Sequence, residues 1–142
     1  MTVSLKRVYD PPARNDGTRL LVDRLWPRGL SKERAALDEW LRDLAPSDAL
    51  RHWYHARPTE WPAFRKKYLK ELSQPECQDA LWHLYELARK KKRLTLLFAS
   101  KNRTRNNASV LKELLDGTRK PPTGTGPGAI SAQRRSAAVR RR

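Results

Sequence analysis

The chain has 142 residues and a formal net charge of +16, with 31 Lys or Arg against 15 Asp or Glu. This length suffices for one domain with its own core, no apolar run is long enough for a membrane span, and MTVSLKRVYD lacks the hydrophobic segment of a secretion signal. Cys77 is the only cysteine, which excludes an intramolecular disulfide and a cysteine-built zinc site. We therefore expect a cytoplasmic protein that does not enter a membrane.

The charge is unevenly distributed along the chain. Residues 117–142 contain seven basic residues and no acid, and they are rich in Gly, Pro, Ser and Thr. A segment with so few large apolar side chains cannot bury enough surface to offset its chain entropy, so we predict a disordered basic tail. Residues 1–116, predicted as the single folded domain, keep 24 basic and 15 acidic residues. This excess suits an anionic small molecule or a nucleic acid as partner.

The N-terminal part of the chain predicts two short strands and a short helix. The apolar alternation that starts at Val3 indicates the first strand, and the apolar run LLV indicates the second, at 18–23. Ser31 is a suitable N-cap for a helix that begins at the next residue. Residues 36–45 fit two structures, either a helix or an extended segment that ends before Pro46.

The rest of the domain predicts helices around one buried strand. Ser47 caps the first helix, and apolar residues at helical spacing mark two more at 59–72 and 75–91. The run LTLLFA at 94–99 is typical of a strand buried on both faces, and a polar loop separates it from a last helix at 107–115. This order predicts an α/β fold with a small, mostly parallel sheet of about three to four strands covered by helices.

The loops that follow the second and the last strand contain the candidate binding residues. In open α/β sheets, ligands bind beyond the carboxyl ends of the strands, where loops meet helix N-termini. Pro27 and Gly29 constrain the first loop, one by locking φ and the other by permitting a positive φ. Basic side chains at such a place form an anion site. The predicted ligand-binding residues are Arg24, Trp26, Arg28, Ser100, Lys101 and Asn102.

These residues leave three functions open. The first is a binding module for an anionic ligand, which can be a nucleotide, a phosphorylated metabolite or a nucleic-acid backbone. The second is an enzyme for a phosphorylated or nucleotide-like substrate, with Asp23 as acid or base and Arg24 or Arg28 stabilising negative charge. The third is a structural or regulatory protein, in which Asp23 and Arg24 pair with neighbours and Trp26 is a packed anchor.

Other functional classes have little support in the sequence. It contains no Walker loop, dinucleotide fingerprint, zinc-protease motif or serine-hydrolase elbow. His52 and His55 lie on a predicted helix without a third ligand in an obvious position, so we predict neither a metal nor a cofactor. A helix-turn-helix regulator is the runner-up among nucleic-acid functions, but the aromatic faces of the helices at 59–72 and 75–91 suit a core better than DNA.

Five segments carry a resemblance to a known family: VYDPP at 8–12, DGTRLLVDRLWPRGLSKE at 16–33, WLRDLAPS at 40–47, LRHWYHARPTEWPAFRKKYLKEL at 50–72 and LTLLFASKNRTRNNASVLKELL at 94–115. Through them the chain resembles a bacterial family known as domain of unknown function 488, in its YeaO-like branch. The resemblance covers about residues 5–115, and VDRLWPRG is its specific element. It implies a small cytoplasmic α/β domain whose biochemical activity is not established.

The loop after the last strand departs from the pattern of this family. Members typically carry an acidic residue soon after that strand, whereas residues 100–106 contain none. If the family's site uses that carboxylate for a metal or for proton transfer, this chain lacks it. The opposite inference is that the arginines in the loop make it a better phosphate binder.

Overall fold

A parallel sheet of four strands forms the centre of the molecule, in a computed structural model that describes residues 2–117. The strands are β1 (Thr2–Arg7), β2 (Thr18–Leu21), β3 (Glu39–Trp40) and β4 (Arg93–Phe98). The helices are α1 (Lys32–Ala35), α2 (Asp48–Ala56), α3 (Trp61–Leu72), α4 (Gln78–Lys90) and α5 (Asn107–Gly117). The predicted α/β fold is therefore confirmed. The predicted tail lies outside the described residues, apart from Gly117, which ends α5.

β4 is an interior strand in the order β1-β4-β2-β3. It pairs with β1 from Thr2 opposite Arg93 to Arg7 opposite Phe98, and with β2 on its other edge. Residues 94–98 are all buried, as predicted for a strand covered on both faces. The sheet therefore depends on the strand that comes last in the chain.

The two faces of the sheet carry cores of different size. Leu94, Leu96 and Phe98 of β4 belong to the larger core, to which α2, α3, α4 and α5 contribute. Leu97 points to the opposite face and belongs to a smaller core with Ala35 of α1. Because successive side chains of a strand alternate between its faces, one continuous apolar run supplies both cores.

The apolar face of α3 is part of the larger core, as predicted. Phe64, Tyr68 and Leu72 are buried, and the Tyr68 hydroxyl donates a hydrogen bond to the backbone oxygen of Leu44. Leu81, Leu84 and Ala88 of α4 are buried in the same core, and Leu87 is partly buried against it. These two helices therefore use their aromatic and apolar faces for packing.

Residues 36–45 do not form an α-helix, and the extended alternative holds for only part of the segment. α1 ends at Ala35 and is capped by Ala36, whose φ of 50° lies in the left-handed region, and β3 then pairs with β2. A short 3-10 helix at Arg42–Leu44 follows, with Leu41 and Leu44 buried. The apolar spacing fits both structures, so the pairing with β2 determines which one forms.

Both predicted N-caps are present. The hydroxyl oxygen of Ser31 accepts a hydrogen bond from the backbone nitrogen of Arg34, and that of Ser47 accepts one from Leu50, each at 3.1 Å. Glu71 of α3 in turn accepts hydrogen bonds from the nitrogen and the hydroxyl of Ser47, at 2.9 and 2.6 Å. The start of α2 is therefore attached to α3 as well as capped.

We predict that Gly17→Ala lowers the free energy of unfolding more than Gly29→Ala does. Gly17 has a φ of 69°, and a Cβ there would lie 2.5 Å from the backbone oxygen of Arg93. Gly29 has a φ of 75°, but a Cβ there would meet nothing within 4 Å. A positive φ alone costs about 1–2 kcal/mol, so we expect that loss for Gly29→Ala and about 3 kcal/mol or more for Gly17→Ala. Urea denaturation measures both, and equal losses would contradict the close approach at Gly17.

Candidate functional site

Asp23 connects the ends of β2 and β4 to the start of α5. Its Oδ2 accepts a hydrogen bond from the backbone nitrogen of Ala99 at 2.8 Å, and its Oδ1 accepts one from Nδ2 of Asn107 at 3.1 Å. The same Nδ2 also donates to the backbone oxygen of Val22 at 2.8 Å. One carboxylate thus joins the two loops in which the sequence predicts a site.

The environment of Asp23 disfavours its charged form. Burial raises the pKa of this carboxyl above its usual 3.8, although the hydrogen bonds from Ala99 and Asn107 and the charge of Arg51 act in the opposite direction. No ion pair to Asp23 occurs within residues 2–117. The carboxylate is therefore held mainly by hydrogen bonds to uncharged groups.

A crevice of about 650 Å³ lies between the two loops. After β2 the chain continues towards β3 at one edge of the sheet, whereas after β4 it continues into α5, which packs against β1 at the other edge. Such a divergence beyond the carboxyl ends of parallel strands leaves room for a ligand. Every residue predicted for the site lines this crevice, namely Asp23, Arg24, Trp26, Arg28, Ser100, Lys101 and Asn102.

Arg28 and Lys101 carry unpaired charges at the crevice. Both are exposed, and neither side chain makes a hydrogen bond or an ion pair with another residue of the described part of the chain. The backbone oxygen of Arg28 accepts a hydrogen bond from the Tyr9 hydroxyl at 2.9 Å, which holds the turn but leaves the guanidinium group free. Of the predicted binding residues, these two are the most available to an anion.

Three other predicted binding residues organise the loops. The guanidinium group of Arg24 donates to the backbone oxygens of residues 45 and 46, at 3.2 and 3.1 Å. The hydroxyl of Ser100 accepts a hydrogen bond from the backbone nitrogen of Asn102 at 3.1 Å, and Oδ1 of Asn102 accepts two from the backbone that follows it. These polar groups therefore already have partners before a ligand binds.

Trp26 is a packed anchor that also forms part of the crevice wall. Its indole nitrogen donates to the backbone oxygen of Leu30 at 2.6 Å, and its ring meets Trp40 edge-on with 5.4 Å between centroids. Trp40 donates in turn to the backbone oxygen of Asp23 at 2.7 Å. With Gly29 at a positive φ, as predicted, the loop after β2 has a fixed path.

Helix α2 contributes residues that the sequence analysis missed. Arg51, Tyr54 and His55 line the crevice, and the buried Nε of Arg51 has no hydrogen-bond partner among residues 2–117. A terminal nitrogen of Arg51 lies 3.4 Å from Asp48, a contact between two exposed side chains. The helical spacing of these three residues places them on one face of α2. It does not indicate that this face lies beside the loops.

α5 begins at the crevice. Oδ1 of Asn106 accepts a hydrogen bond from the backbone nitrogen of Ser109, and the hydroxyl of Ser109 accepts one from the nitrogen of Asn106, both at 3.0 Å. This reciprocal cap fixes the first turn of the helix. Since Asn106 and Asn107 line the crevice, the positive end of the helix dipole borders it.

Arg103 is paired and does not extend the cationic lining. Its guanidinium group donates to both carboxylate oxygens of Asp10, at 2.8 and 3.1 Å, and these bonds lower the pKa of Asp10 below 3.8. The expectation that the arginines of this loop improve phosphate binding therefore gains no support from Arg103, which does not line the crevice. It attaches the loop to the turn after β1 instead.

Comparison with known proteins identifies the family. A family model described as the inactive DUF488-N3 subclade matches residues 2–126. The chain belongs to the DUF488 family. The uncharacterized protein YeaO of Escherichia coli (strain K12) is 47% identical over 115 residues, which cover 81% of this chain and 97% of that protein. The uncharacterized protein Rv3073c of Mycobacterium tuberculosis (strain ATCC 25618 / H37Rv) is 37% identical, with 81% and 94% covered. No solved structure matches significantly.

The DUF488 match includes both crevice loops and α2. It confirms the resemblance that VDRLWPRG and the other segments indicate. In the part of this DUF488 chain that the structure describes, no three His, Cys, Asp or Glu side chains are grouped as metal ligands. None of the helices there has both the length and the apolar composition needed to cross a bilayer.

We predict that the pKa values of Asp23 and Asp10 in this DUF488 domain lie on opposite sides of 3.8, the usual value for aspartate. NMR titration of the carboxyl carbons should give a higher pKa for buried Asp23 and a lower one for Asp10, which Arg103 hydrogen-bonds. The pKa of Asp23 is higher in the folded state than in the unfolded state, so folding favours its protonated form. The stability that Asp23 contributes is therefore fully present below the unfolded pKa and is lost as pH rises through the folded pKa.

Arg103→Ala is the control for this titration. It should move the pKa of Asp10 back towards 3.8 and leave that of Asp23 unchanged, since Arg103 acts only on the first of them. A pKa of Asp23 at or below 3.8 in the folded protein would contradict the effect of burial described above.

Proposed function

We propose that this protein binds an anionic ligand in the crevice, with Arg28 and Lys101 as the main contacts. One observation carries the proposal: unpaired cationic groups from both loops border a single hollow, and Asp23, the one carboxylate among its lining residues, already accepts hydrogen bonds on both oxygens. An incoming anion therefore meets positive charge with little opposing negative charge.

The chemistry of these groups suits a phosphate or a carboxylate. The guanidinium group of Arg28 can form two parallel hydrogen bonds to such an anion, and Lys101 adds a point charge. Arg51 also lines the crevice with a partly exposed side chain, so its guanidinium group adds positive charge to the lining. The ligand classes that fit are a nucleotide, a phosphorylated metabolite and a nucleic-acid backbone.

Two observations favour binding over catalysis. The subclade that matches this chain is described as inactive. The loop at 100–106 also contains no acidic residue that could transfer a proton. A binding protein needs the cationic groups of the crevice but no proton donor or acceptor in this loop.

An enzyme that uses Asp23 is the second candidate. Asp23 lines the crevice and has a raised pKa, which is a property of general acids. Both of its oxygens, however, are engaged in joining the loops. Proton transfer through Asp23 would have to interrupt one of these hydrogen bonds, whereas its structural role requires both.

We predict that Arg28→Ala weakens the binding of ATP or of short single-stranded DNA by about tenfold or more, the usual effect of losing charge-assisted hydrogen bonds. Binding should also fall steeply with salt, since the contacts are ionic. Isothermal titration calorimetry or fluorescence anisotropy measures both effects.

Arg34→Ala and truncation after Gly117 are the controls. Arg34 is an exposed arginine of α1 outside the crevice lining, so its replacement should leave the affinity unchanged. The truncated chain should keep the dependence on Arg28. If anion binding disappears completely on truncation, the crevice is not the site and the tail accounts for the binding.

A further inference from the structure

The crevice combines its cationic groups with exposed apolar side chains. Among residues 2–117, two large hydrophobic side chains are exposed, Tyr9 at 39% and Leu25 at 56%, and both line this crevice. A single exposed leucine is common on protein surfaces and needs no explanation. Here, however, both exposed side chains share one hollow with the unpaired Arg28 and Lys101.

The ring of Tyr9 is held in place without a ligand. Its hydroxyl donates to the backbone oxygen of Arg28, and the guanidinium group of Arg7 lies over the ring, 5.1 Å from the centroid. Arg7 is fixed by hydrogen bonds to the backbone oxygens of residues 99 and 100, at 2.8 and 2.9 Å. A surface that is already ordered loses little conformational entropy when a ligand contacts it.

The size of the crevice also favours an organic ligand. Its volume of about 650 Å³ lies within the range of small-molecule sites. An inorganic phosphate bound at Arg28 and Lys101 would leave the apolar part of the lining, which includes Leu25, Trp26 and Phe64, without a contact. The phosphates of a nucleic-acid backbone would interact with the cationic groups but would make no apolar contact with this wall.

On the basis of the proposed anion site, we propose that the crevice recognises a phosphate monoester that carries a flat apolar group. The phosphate contacts Arg28 and Lys101, and the apolar group lies against Leu25 and Tyr9. The backbone contact between Tyr9 and Arg28 keeps the two parts of the site next to each other. The ligand class is therefore an aryl or heteroaryl phosphate rather than a bare anion.

The test compares methyl phosphate with phenyl phosphate on the full chain by calorimetry, at a pH where both are dianions. We expect phenyl phosphate to bind about tenfold more tightly, because the ring buries apolar surface that the methyl group does not. Leu25→Asn should reduce this preference to about threefold or less. Leu25→Met keeps an apolar side chain of similar size and should preserve the preference.

The outcomes separate this inference from the proposed function. Equal affinities for the two phosphates, both weakened by Arg28→Ala, would overturn the apolar subsite and leave the anion site standing. Failure of both phosphates, of ATP and of single-stranded DNA to bind would overturn the proposed function itself. Single-stranded DNA provides a further test. If it displaces phenyl phosphate, and if Leu25→Asn leaves the affinity for the DNA unchanged, the crevice binds a nucleic-acid backbone and the inference is wrong.

Discussion

The hydrogen bonds of the Asp23 carboxylate hold together the carboxyl edge of the sheet. Through Ala99 and Asn107 they join the loop after β2 to the loop after β4 and to the first turn of α5. These loops leave neighbouring strands in opposite directions, so nothing in the sheet itself keeps them close beyond its edge. The crevice exists because the strands separate the loops and this carboxylate limits the separation.

The polar residues of the crevice divide into those that build the loops and those that remain free. Arg24, Ser100 and Asn102 have partners within the protein, whereas the side chains of Arg28 and Lys101 have none among the described residues. This division explains how two short, polar loops can be ordered and still expose positive charge. Most polar groups of the loops form hydrogen bonds within the protein, and two cationic side chains remain available to solvent or a ligand.

Local signals in the sequence predict most of the fold. The apolar run at 94–99 indicates the buried strand, and Ser31 and Ser47 mark helix starts, because these features depend on residues close in the chain. The segment at 36–45 could not be predicted uniquely, since its structure depends on pairing with β2. The general rule for open α/β sheets predicts that the two loops lie close together. The position of Arg51 beside them and the pairing of Arg103 with Asp10 depend on contacts between distant segments, so local sequence does not indicate either one.

The central position of β4 has a consequence for the order of assembly. β1 finds its partner 91 residues later, Thr2 opposite Arg93, and β2 finds the same strand after most of the domain has been synthesised. Until residue 98 has left the ribosome, β1 has no neighbour and β2 has only the two-residue β3. Folding of this sheet therefore waits for nearly the whole domain, and such long-range closure makes a topology slow to form.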